Sequence, residues 1–225
     1  LLLATPVGDP GTTRWLHEAA RVALQRGAPG SAVAYLERAL VEPPPATERP
    51  ALLWLLGSAL SLLDSVGAVG HLRQAFDEID DGPDRVAIAS SLAEALARTG
   101  QARAGFDLLE SISEKSDLGG EQRLAIEAQL LGISQLSHEL GPRARARADA
   151  LAGLEGRTAS ERAVLANVAY IRSNDGSPVD DVLRLAWAAY HGGDVLEDVS
   201  SDAPPFGWLA RLFMNLGEFE PAERI

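Results

Sequence analysis

The chain has 225 residues, 46% of them hydrophobic and 23% charged, with a formal net charge of −12. That mixture is ordinary for a globular protein, while the acidic balance opposes grip on a phosphate backbone or an anionic membrane, both of which need clustered Lys and Arg. The sequence has no Cys, which removes disulfides, thiolate zinc sites and Cys nucleophiles and fits a reducing, cytoplasmic setting.

The opening LLLATP is too short for a signal peptide and lacks its basic flank. No stretch reaches the roughly 20 apolar residues of a membrane span. A start without Met and a finish at PAERI, inside a predicted helix, read as a piece of a longer protein.

From Arg14 to Gln25, the residues Leu16, Ala19, Ala20, Ala23 and Leu24 recur at spacings of three and four, which predicts an amphipathic helix. Gly27, free to take φ > 0, stops it. Ser31 is the expected cap of a second helix, with Ala32, Tyr35, Leu36, Ala39 and Leu40 on one side, and Pro43, Pro44 and Pro45 end it. The grammar then returns. Ala51 to Leu63 is a strongly apolar helix, Gly67 the next break, and Val69 to Ile79 its partner, with Pro83 behind. Asp84 is placed as the cap of Arg85 to Arg98, and Gly100 precedes Ala102 to Ile112, which the polar SEKSDLGG ends. Glu121 to Leu136 pairs with Pro142 to Leu151. Ser160 caps Glu161 to Arg172, and Ser177 caps Pro178 to Tyr190, with Pro178 at the favoured first position. Phe206 to Leu216, Gly217 and Glu220 onward open a further pair. No segment sustains a period of two, so strands are not expected.

The pairs share a spacing. Gly27 to Ala32, Leu36 and Ala39 gives steps of five, four and three, and Gly100 to Gly105, Leu109 and Ile112 gives the same steps. Small residues at the first position let two helices approach closely, and larger ones fill the gap to the next pair. This resembles the tetratricopeptide-type helical hairpin, with Pro44 where its late Pro would stand. The pair around Gly67 departs from that register, and the fourth pair lacks a turn Gly in the matching place. The expected fold class is all-α, a right-handed α-α superhelix of tetratricopeptide-like hairpins, about five pairs plus a truncated sixth. It is read as one domain over 1–225.

Chemistry is sparse. HEAAR at His17 to Arg21 begins like a zinc-protease helix, but position 21 is Arg where a second His is needed. His71, His138 and His191 share no ligand spacing, and SHEL at Ser137 to Leu140 reads as a helix end. Neither G-x-S-x-G nor G-x-x-x-x-G-K-[ST] occurs. Asp77, Glu78, Asp80, Asp81 and Asp84 flank a Gly-Pro turn without the alternation of a calcium loop. RARARA, Arg143 to Ala148, is the one basic cluster; on a helix Arg143 and Arg147 share a face and Arg145 points elsewhere. No catalytic, cofactor-binding or metal-ligating residue is assigned, and no cofactor is expected. Trp15, Trp54, Trp187 and Trp208 all fall in predicted helices, with packing between hairpins as the expected role of each. Trp208 also follows SSDAPPF, an extended approach to its helix. Trp208, Tyr190, Arg143 and Arg147 are the candidate partner or ligand contacts.

Three stretches carry a wider resemblance: HEAARVALQRGAPGSAVAYLERALVEPPP, SLAEALARTGQARAGFDLLES and APPFGWLARLFMNLGEFEPAERI. Together they resemble the helical-repeat region of large bacterial LuxR-type, ATP-binding transcriptional regulators. Such proteins carry an N-terminal signal-transduction ATPase and a C-terminal helix-turn-helix, neither of which is encoded in these residues. The resemblance implies a sensor region that binds an inducer or protein partner and relays occupancy, with no direct nucleic-acid contact and no membrane contact of its own. The alternative is a general adaptor that takes a peptide or partner helix in its concave groove. An α-helical enzyme ranks last, because no nucleophile, base and orienting group occur together. Oligomeric state is left open by these residues.

Overall fold

The structure, a computed structural model, describes residues 10–42, 44–80, 82–115, 117–193 and 204–224. Among the described residues there are twelve α-helices and no strand. They are α1 (Pro10–Gln25), α2 (Pro29–Val41), α3 (Arg49–Ser61), α4 (Ser65–Glu78), α5 (Pro83–Arg98) and α6 (Ala102–Lys115), then α7 (Gly120–Ser134), α8 (Gly141–Leu151), α9 (Ala159–Asn174), α10 (Val179–Tyr190), α11 (Pro204–Leu216) and α12 (Phe219–Arg224).

Four of the six turns within hairpins use one device. Gly27, Gly100, Gly176 and Gly217 have φ of +68°, +80°, +73° and +80°. In each, the next residue's N–H reaches back five residues, from Ala28 to Ala23, Gln101 to Leu96, Ser177 to Arg172 and Glu218 to Phe213, at 2.8–3.1 Å. This is the Schellman closure, which satisfies carbonyls that the helix end leaves open. The other two turns differ. Between α3 and α4, Leu62 keeps right-handed helical angles and the break comes from Asp64, whose carboxylate accepts the Val66 N–H at 3.1 Å. Gly67 therefore lies inside α4, and the mismatch of register around it disappears. Between α7 and α8, residues His138–Leu140 form a short 3-10 turn where the sequence reads as a helix end.

Four expected caps shift by one to three residues. Pro29 and Pro83 start α2 and α5, so Ala28 and Gly82 take the capping positions, Ser31 lies in the first turn, and Asp84 faces the helix dipole from inside. At α9 the Thr158 hydroxyl, rather than Ser160, accepts the Glu161 N–H at 3.2 Å. Pro178 itself occupies the N-cap of α10, with no side-chain cap from Ser177.

A second regularity links one hairpin to the next. Arg85, Arg123 and Arg162 each stand in the first turn of a first helix, 38 and 39 residues apart. Each donates to a carbonyl of the segment before it: Arg85 to Ile79 and Phe76, Arg123 to Ser113, and Arg162 to Gly156, at 2.8–3.0 Å. A guanidinium thus ties the start of each of these helices to carbonyls near or beyond the end of the preceding one.

The chain divides into two compact units, Leu1–Leu108 and Leu109–Ile225. In the first, Leu16 and Ala20 of α1, Ala32, Leu36 and Ala39 of α2, and Leu52 and Leu56 of α3 form one cluster, all at most 1% exposed. Leu72 of α4 joins Leu92 and Leu96 of α5 in the next. Within this unit, α1 and α2 thus close their apolar faces on each other and on α3, and α4 closes on α5. Small residues mark the closest approaches. A Cβ at Gly105 of α6 would stand 2.5 Å from the Ala93 carbonyl oxygen of α5.

In the second unit α9 is the centre. Residues 164–169 are buried without interruption, because α7, α8, α10 and α11 surround this helix. A helix covered on nearly every side in its middle has no one apolar stripe to mark which side faces inward.

Candidate interaction surface

The first helices α7, α9 and α11 of the second unit pack side by side, with α9 in the middle. Two aromatic groups lie on this row and on α10. Trp208 of α11 is half-buried, with its ring centroid 4.7 Å from that of Tyr170 on α9 at a tilt of 33°. Its indole Nε1 is buried and has no hydrogen-bond partner among the described residues, a condition that costs about 1–3 kcal/mol for a donor removed from water. Tyr190, at the end of α10, is only 4% exposed and meets Phe213 edge-on at 6.0 Å and Trp187 at 5.7 Å. Its ring is a wall of the core, and the exposed edge of that cluster is Trp187, at 42%.

The tryptophans divide. Trp54 is half-buried and donates from Nε1 to the Ser91 hydroxyl at 3.0 Å, a bond between successive hairpins of the first unit. Trp15 and Trp187 depart from the expected buried role, at 59% and 42% exposed. Trp15 stands on the rim of an open groove of about 480 Å³ along α1 and α2, with Ala19, Val22 and Tyr35.

Arg143 and Arg147 share a face, as one turn of helix requires, and both reach Glu110 of α6. Arg147 donates to Glu110 at 2.8 Å and to both oxygens of Glu127 on α7 at 2.6 and 2.7 Å, and Arg143 pairs with Glu110. Arg145 leaves that face and donates from Nε to both oxygens of Asp175 at 2.8 and 2.9 Å. Burial alone would lower the Arg147 pKa, but the hydrogen bonds it donates to Glu127 and Glu110 outweigh that effect and raise it. The two arginines are thus charge-compensated in place. Their acidic partners sit 20 to 37 residues away in the chain, a separation that residue spacing does not reveal.

Among the described residues, no three His, Asp or Glu side chains gather where they could hold a metal ion. No described helix is long and apolar enough to cross a membrane. A second open cavity, of about 570 Å³, lies at the α7–α8 turn against the end of α9, lined by Leu136, His138, Arg145 and Asp175.

No family model matches the chain, and no curated protein matches it. Solved structures do. A candidate kinesin light chain from Podosopora anserina, built of nearly identical TPR-like repeats, aligns at 23% identity with a TM-score of 0.65, over 81% of this chain and 95% of its own. A tetratricopeptide repeat protein from Parabacteroides merdae aligns at 17% identity and TM-score 0.59, over 95% of this chain and 77% of its own. MamA from Desulfovibrio magneticus, residue 41 to its end, aligns at 16% and 0.58, over 88% of this chain and 100% of its own. The fold is that of tetratricopeptide-like helical repeats. The all-α hairpin class expected from the Gly and Ala spacing is the class observed.

Proposed function

We propose that this chain is a non-catalytic interaction region, in which the first-helix row of the second unit presents Tyr170 and Trp208 to a protein segment or small-molecule inducer. The observation that carries the reading is Trp208: a half-buried indole stacked on a neighbouring hairpin's Tyr170, with a donor that no described residue satisfies. A ligand carbonyl or carboxylate brought to Nε1 by a small rotation of the ring would complete that bond, so binding recovers a cost already present in the free state. The resemblance to the repeat region of LuxR-type ATP-binding regulators supports a sensor role, with occupancy favouring one packing of the hairpins over another by its differential affinity. The general adaptor, holding a peptide or partner helix, draws on the α1–α2 groove with its exposed Trp15.

A thermal-shift screen of small molecules and a peptide array, each followed by titration against the unaltered chain and Trp208→Ala, tests the site. Hits are expected to lose affinity at least about tenfold in the variant, as for an aromatic anchor. Hits that bind both forms alike overturn the assignment to Trp208, and loss confined to Trp15→Ala moves it to the α1–α2 groove. The regulator reading has its own check in the flanking coding sequence. A phosphate-loop motif upstream and a helix-turn-helix downstream are expected, and an adaptor gene lacks both.

A further inference from the structure

α8 is held differently from the helices around it. Only Ala144 and Ala148 of its eleven residues are buried, with Leu151 half-buried at its far end, whereas α9 buries eight residues and α10 buries Val182, Leu185, Ala186, Ala189 and Tyr190. Two methyl groups give little apolar area to bury. Charge supplies what they do not. Arg143 and Arg147 tie α8 to Glu110 of α6, Arg147 also to Glu127 of α7, Arg145 to Asp175 at the end of α9, and Asp149 receives Arg172 of α9 at 2.6 Å. Four side chains of one short helix thus reach three neighbouring elements, from two opposite sides of it. The pairs are only partly shielded: the side chain of Arg147 is 23% exposed, that of Arg143 36% and that of Arg145 58%.

From this we propose that α8 is an electrostatic latch, a helix docked by charge that undocks as a unit while α7, α9 and α10 remain folded. Ion pairs and apolar contacts respond oppositely to salt. Screening shortens the reach of charge from about 10 Å at 0.1 M to about 3 Å at 1 M, while apolar burial is not weakened. A helix fixed mainly by ion pairs therefore comes loose under conditions that leave its apolar neighbours in place, and local opening of this kind needs far less free energy than global unfolding. Undocking uncovers the flank of α7 and α9 that Ala144 and Ala148 cover, and Leu151 keeps the far end attached. Any acidic partner that competes with Glu110 and Glu127 for the two arginines drives the same opening.

Hydrogen–deuterium exchange of the full chain at about 0.1 M and about 1 M sodium chloride tests this. Peptides covering 141–151 are expected to exchange at least about tenfold faster at the higher salt, with peptides covering 159–174 unchanged. Glu110→Gln, which removes the partner shared by Arg143 and Arg147, should reproduce the loss at low salt. Equal responses of α8 and α9, or an α8 indifferent to salt in the unaltered chain, overturn the latch. If Glu110→Gln fails to fold, the salt comparison decides, and Asp175→Asn at the more exposed pair should give a smaller change in the same direction.

Discussion

Gly105 offers the sharpest test of how these hairpins close. A methyl group placed there by Gly105→Ala stands 2.5 Å from the Ala93 carbonyl oxygen, 3.2 Å from its carbon and 3.3 Å from its Cα. Carbon and oxygen settle no closer than about 3.3 Å, so α6 must withdraw from α5 by roughly 0.8 Å. The obstacle is main chain in a helix and cannot rotate aside. Overpacking of this sort costs about 1–3 kcal/mol, and a backbone obstacle places it near the upper end. Replacing a helical Gly by Ala returns about 1 kcal/mol, leaving a net loss of about 1–2 kcal/mol. Gly70→Ala is the matched control, since Gly70 lies exposed in α4 with no atom within 4 Å of the new Cβ. It should stabilise by about 0.5–1 kcal/mol. Urea unfolding followed by far-UV circular dichroism separates the two. Should Gly105→Ala prove as stable as the unaltered chain while Gly70→Ala shows its gain, the close approach of α5 and α6 is not what holds that hairpin together.

Leu36→Ala empties a fully buried position among Leu16, Ala20, Leu52 and Leu56 and is expected to cost about 2–5 kcal/mol; a thermal melt without loss would remove α2 from the core. Glu121, in the first turn of α7, receives hydrogen bonds from the Ser160 side chain and then from its backbone N–H, with smaller help from Thr158 and Arg162, and these hold its carboxyl below the usual glutamate range against the opposing effect of burial. A lowered folded-state pKa means a contribution present above the unfolded value, about 4.3, and lost as pH falls through the folded one. The stability gap between the unaltered chain and Glu121→Gln should therefore be level near neutrality and close below about pH 4, and a gap that persists unchanged to pH 3 contradicts the bond.

The parts of the fold that could be read in the residues are those where backbone chirality leaves a mark. Gly27, Gly100 and Gly217 are legible because a left-handed turn excludes side chains, and the five-four-three spacing after Gly27 and Gly100 records where two helices nearly touch. The α3–α4 turn leaves no such mark. Its residues Leu62 and Leu63 extend the apolar run of α3 yet are 68% and 57% exposed, so hydrophobicity alone carries the helix past its true end. The row of capping arginines was equally hidden, since an Arg early in a helix is indistinguishable in sequence from any surface cation. Of the candidate contacts, Trp208 is half-buried with an orphan donor and Tyr190 is walled into the core, while Arg143 and Arg147 face acids that only the folded chain brings near. Trp187 and Tyr170 entered the site from packing, because an aromatic on a helix does not declare which side of it meets water.

Asp64 has a further consequence. Where a left-handed glycine divides two rods, adding a side chain there strains the backbone. Between α3 and α4 the divide rests on one carboxylate holding the Val66 N–H, next to a Leu62 already in helical angles. Without that acceptor the first turn of α4 loses its cap, a loss of about 0.5–2 kcal/mol. The boundary between these two helices is thus written in a side chain rather than in a left-handed backbone angle, and a single substitution to Ala removes it.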